Sequence, residues 1–76
     1  MNKYYAKKQL KGCEGQLETV SNVTKTIDEL IAERVKKGIY ASLEEGHEQY
    51  KGFYEVAAQV KQRIQEKIDY YKEKLS

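Results

Sequence analysis

The chain has 76 residues, 39% of them hydrophobic and 34% charged, with a net charge of +2, one cysteine, one histidine, no proline and no tryptophan. A chain this short forms one domain at most (1–76) and buries only about 60% of its unfolded surface. The lone Cys13 excludes an intrachain disulfide and a cysteine-based zinc site within one chain, and so small a net charge does not by itself point to nucleic acid.

The first element is predicted over about 3–36. Ala6, Leu10, Cys13, Leu17, Val20, Thr24, Ile27 and Ile31 recur at alternating steps of four and three, the spacing of one helix face. Val23, Leu30 and Val35 widen that face. The run Ser21-Asn22-Val23-Thr24-Lys25-Thr26 has poor helix propensity, and Thr26 to Glu29 reads as a capping box. A break would fall there, but the continuous stripe favours an unbroken helix. Lys36 and Lys37 suit a helix C-terminus, and Gly38 stands where a left-handed residue ends a helix.

The second element is predicted over about 43–75. Ser42 caps it, with Glu45 reaching back. Its stripe runs Ile39, Leu43, Gly46, Tyr50, Phe53, Ala57, Val60, Ile64, Ile68, Tyr71 and Leu75. The short connection makes the helices antiparallel neighbours. A turn near residue 40 pairs residues whose numbers sum to about 80, which sets apolar against apolar along roughly 50 Å. Gly46 then falls opposite Arg34. Gly12 and Gly15 lie near Tyr70 and Tyr71, where missing side chains would let tyrosines rest on the backbone. The expected fold is all-α, an antiparallel two-helix hairpin that completes a four-helix bundle with itself or with another chain.

Little points to chemistry. His47 has no second histidine or cysteine at metal spacing, and no neighbour in sequence serves as nucleophile or acid beside it. The carboxylates Asp28, Glu29, Glu33, Glu44, Glu45 and Glu48 alternate with cations as solvated helix faces do. No enzyme, cofactor or metal site is expected. The start lacks the apolar run of a signal peptide, and no segment approaches the roughly 18 apolar residues of a bilayer span. The expected location is cytoplasmic, with signal-less export left open.

The seven tyrosines are more informative. Tyr4, Tyr5, Tyr70 and Tyr71 gather at the open end, Tyr40 lies at the loop, and Tyr50 and Tyr54 lie in the second arm. Tyrosine buries area at low entropy cost and is enriched where proteins bind each other. Tyr4, Tyr5, Tyr40, Tyr54, Tyr70 and Tyr71, with Val23, Leu30, Val35 and Val56 beside the core stripe, are the candidate partner-binding residues. The alternative is a small nucleic-acid- or nucleotide-binding helical protein. It would use Lys3, Lys7, Lys8 and Lys11 with the tyrosine cluster.

The tyrosine-rich start followed by Lys7-Lys8-Gln9-Leu10 and Cys13 resembles the opening of small accessory partners of LXG toxins in type VII secretion. So do Arg34-Val35-Lys36-Lys37-Gly38-Ile39 and the Lys67-Ile68 tail. These proteins are similar to the WXG-type helical hairpins. The resemblance implies a hairpin that packs on a partner hairpin as a four-helix bundle, acting as adaptor, chaperone or inhibitor. The W-x-G motif itself is absent, Lys37-Gly38-Ile39 occupying the turn. The Tyr-x-x-x-acid pattern matches only Tyr40 to Glu44, at the opposite end of the hairpin from the family's export signal.

Overall fold

The computed structural model describes Met1–Ser76 as three helices and no strand: α1 (Lys3–Lys36), α2 (Leu43–Gln49) and α3 (Lys51–Leu75). α1 runs unbroken through the weak segment. Its threonines turn inward on the helix instead of competing with it: Thr24 Oγ1 donates to the Val20 carbonyl (2.9 Å) and Thr26 Oγ1 to that of Asn22 (3.0 Å). Asn2 caps the start, accepting from the Tyr4 amide at 2.7 Å.

The end of α1 is a Schellman turn. Gly38 has φ +79°, its amide donates to Val35 O (3.0 Å), and the Ile39 amide donates to Arg34 O (2.8 Å). Ser42 then caps α2, accepting from the Glu45 amide at 3.2 Å, as expected. The Glu45 carboxylate reaches one residue further back than a standard capping box, accepting from the Ala41 amide at 2.6 Å.

The second arm is not one helix, which corrects the expected 43–75 element. It breaks at Tyr50 (φ −109°, ψ 20°), whose amide bonds three residues back to His47 O at 3.1 Å. Two contacts to α1 hold the break. Gly46 is buried so tightly that a Cβ there would drive into Ile31 Cγ2 and lie 3.1 Å from Tyr40 Cδ2. The Tyr50 hydroxyl takes a hydrogen bond from Arg34. Gly46 therefore meets Ile31, and Arg34 meets Tyr50 rather than Gly46 as the simple register implied. α2 approaches α1 closely at Gly46, and α3 starts at Lys51.

α1 and α3 pack along their length. Tyr5 meets Tyr71 at one end and Asp28 meets Tyr54 towards the other, so the two run antiparallel. The core is one strip deep. Cys13, Ile64 and Ile68 form its centre, flanked by the half-buried Leu10, Leu17, Val20, Val60 and Tyr71. Ile31 is the sole large side chain wholly buried. The molecule is a rod of 54 × 16 × 14 Å. It exposes 5833 Å², against about 4,800 Å² for a compact monomer of 8.9 kDa.

Candidate docking surface

The two sides of the α1/α3 seam differ in kind. On one side of the seam, α1 presents Tyr5, Gln9, Gly12 and Gln16, then Thr19, Val23, Thr26 and Leu30, again at steps of four and three. None of these carries a charge, in a chain one-third charged. On the other side, the corresponding positions are Lys7, Lys11, Glu14, Glu18, Ser21, Lys25 and Asp28, of which only Ser21 is uncharged. Charge, not apolarity, marks the contrast, so a search for hydrophobic residues alone misses the uncharged stripe.

α3 adds Phe53, Val56, Val60 and Tyr70 to this flank, together with the charged Arg63 and Lys67, so the absence of charge belongs to the α1 stripe alone. Midway along the rod lies an apolar groove of about 270 Å³. It is lined by Thr19, Val20, Val23, Phe53, Val56, Ala57 and Val60. Val23 is 49% exposed and Val56 is 59% exposed, on either side of it. Towards the open end the same flank becomes polar, a cleft of about 480 Å³ where Gln9, Gly12 and Gln16 face Arg63, Glu66, Lys67 and Tyr70. The groove on the opposite flank is walled by Glu14, Glu18, Ser21, Gln65 and Lys72.

The structure sorts the ten residues named from sequence into three sets. Val23, Val56, Tyr5 and Tyr70 stand exposed on the flank with the uncharged α1 stripe, with Leu30 half-buried at its edge. Tyr4 is 75% exposed and stands apart from them. Val35, Tyr40, Tyr54 and Tyr71 are half-buried, and the three tyrosines are engaged within the chain. Tyr71 meets Tyr5 and Tyr70 edge-on, at ring-centroid distances of 6.5 and 5.2 Å. Burial, with Tyr5 alongside, pushes its phenol pKa up. No side chain lies within 4 Å of a Cβ built on Gly12 or Gly15, so the tyrosines do not rest on those glycines.

Around the turn, Arg34 Nη1 donates to both Tyr40 Oη and Tyr50 Oη at 3.1 Å, and the guanidinium lies 5.9 Å from the Tyr40 ring centroid. The Tyr40 hydrogen bond and the nearby Tyr50 raise the Arg34 pKa. Glu33 pairs with Lys37 at 2.9 Å, which lowers its carboxyl pKa.

His47 is half-exposed and partly packed, and the fold brings it to residues remote in sequence. Its Nε2 lies 3.9 Å from Asp28 Oδ1, and its ring meets Tyr54 edge-on at 5.3 Å. Tyr54 Oη donates to the same Asp28 oxygen. Burial, then the Asp28 hydrogen bond and charge, push the Tyr54 pKa up to about 12. Asp28 lies 19 positions from His47 in the chain, so only the antiparallel register brings them together. The His47 and Asp28 side chains are each about half exposed, and they tie α1 to the start of the second arm.

No group of three His, Cys, Asp or Glu is placed to hold a metal ion, and no helix is long and apolar enough to cross a membrane. Comparison with protein families, characterised proteins and solved structures finds no match to this chain.

Proposed function

We propose that the protein is a non-enzymatic helical interaction module that works by laying the flank with the uncharged α1 stripe on another helical surface. The observation that supports this reading is the asymmetry of the rod. One flank of α1 is uncharged from Tyr5 to Leu30, and exposed Val23 and Val56 border an apolar groove at its middle. An antiparallel α1/α3 pair buries one stripe per helix, and a core this thin gains from a second layer. Docking there would complete a four-helix core, with valines and Phe53 in the centre and Tyr5 and Tyr70 at the rim. The LXG-partner resemblance gives a concrete form: an adaptor, chaperone or inhibitor that occupies a partner's groove.

The test is light scattering of the purified protein, alone and with the products of neighbouring genes, for wild type and Val56→Asp. The reading predicts a complex that Val56→Asp loses while keeping wild-type helicity. A wild type that stays at 8.9 kDa in every mixture contradicts it.

A second reading rests on Tyr4, the most exposed aromatic residue, which stands near exposed Lys7, Lys8 and Lys11. Such a group suits stacking on a base beside a phosphate. Binding of a single-stranded oligonucleotide that weakens steeply as salt rises, and that Tyr4→Ala removes, would favour it; apolar docking lacks that salt dependence.

A further inference from the structure

We infer that the occupant of the flank with the uncharged α1 stripe is a second copy of this chain, seated side by side with both rods pointing the same way. The inference rests on the docking reading above and names its partner.

Area is the first argument. A rod 54 Å long and 16 Å wide offers about 860 Å² on a broad side, close to the roughly 800 Å² per partner of a standard stable interface. The surface exposed beyond that of a compact monomer, about 1,000 Å², is of the same size. One flank of one copy therefore supplies what a two-fold dimer needs.

Complementarity is the second argument. A two-fold axis along the rod lays α1 of each copy over α3 of the other, at equal heights. Within one copy, Val23 shares its groove with Val56 and Val60, whereas Gln16 shares its cleft with Arg63 and Lys67. The axis repeats these neighbourhoods across the interface. The valines of one copy meet the valines of the other. Each Arg63 and Lys67 arrives over neutral glutamines and Gly12, whose open surface leaves room for an approaching side chain. The glutamine amide oxygens accept from the cations, and the Glu66 carboxylate in the same cleft balances part of their charge. Turning one rod end for end takes Arg63 and Lys67 away from the glutamine amides and sets them against the turn-end part of the flank, with Thr26, Leu30 and Phe53. The opposite flank is a poorer seat, because its α1 stripe carries charge at six of seven positions, all of which would have to be desolvated or paired.

The test combines mass, variants and a distance. Light scattering across micromolar to millimolar protein should give twice 8.9 kDa. Val23→Asp and Val56→Asp should each weaken the dimer by about ten-fold or more, because each buries an unpaired charge, while circular dichroism stays that of wild type. Ser21→Glu, on the opposite flank, should leave the dimer intact. Spin labels on Lys3→Cys in a Cys13→Ser background should report a separation well under half the 54 Å rod length. A monomer throughout that range overturns the proposal. So does a dimer indifferent to both valine variants, or a label separation near 54 Å. If wild type is monomeric but Val56→Asp abolishes binding to a neighbouring gene product, self-association fails and the docking reading stands. If Val56→Asp changes neither, both fail.

Discussion

Gly46 and Gly15 are both helical glycines with opposite expected responses to alanine. At Gly46 a methyl group meets Ile31 and Tyr40, so Gly46→Ala should lower stability by about 1–3 kcal/mol through overpacking, despite the gain in helix propensity. At Gly15 nothing lies within 4 Å, so Gly15→Ala should raise stability by roughly 0.5–1 kcal/mol. Urea unfolding of the two variants checks both signs. The difference was half legible in sequence: Gly46 falls on the core stripe and Gly15 does not, but its close approach depends on the tilt of α2. Tyr54 makes a second prediction at this scale. Its phenol is held neutral in the fold, with its pKa raised from 10.0 to about 12. That contribution is whole below the unfolded pKa of 10.0 and is lost as pH rises through about 12. Thermal midpoints should therefore fall from pH 10 towards pH 12, less steeply in Tyr54→Phe, where Tyr71 remains to titrate in the same direction. The His47–Asp28–Tyr54 group was illegible in sequence, because its members come from separate helices and carry no shared spacing.

At the scale of elements, the caps and stripes were the legible part. Asn2 was not singled out, but Gly38 and Ser42 both act as their residue types require. Every residue of the α1 stripe from Ala6 to Ile31 is buried or half-buried, as is the second stripe from Gly46 to Leu75; only Ile39 and Leu43 at the turn are exposed. The break was legible only as a choice of place. Helix propensity pointed to 21–26, but α1 is continuous there, with the Thr24 and Thr26 hydroxyls bonded to carbonyls four residues back and the inward stripe of Val20, Thr24 and Ile27 half-buried. The actual break, at Tyr50, follows from tertiary contacts at Gly46 and Arg34, to which propensity is blind. Gly38→Ala should cost about 1 kcal/mol by forcing a Cβ into the left-handed region. The loss should appear in urea unfolding with little change in helical content, because the strain is confined to the turn.

The whole molecule is an elongated rod with a core one strip deep, and it buries less surface than a compact chain of its mass. Its Cα radius of gyration is 16.8 Å, against roughly 11 Å for a compact chain of this length. The expectation of a second layer came from length and periodicity together. The side on which it would sit was not legible in sequence, because the notable feature is an absence of charge along α1 that appears only once the seam with α3 is known. If the valine flank is where the rod associates, as proposed, its stability depends on that association. The most direct measurement is the thermal midpoint over a wide range of protein concentration, for wild type and Val56→Asp. The wild-type midpoint should climb with concentration, and the variant midpoint should be lower and should not climb. A wild-type midpoint independent of concentration and equal to that of Val56→Asp would contradict association through this flank.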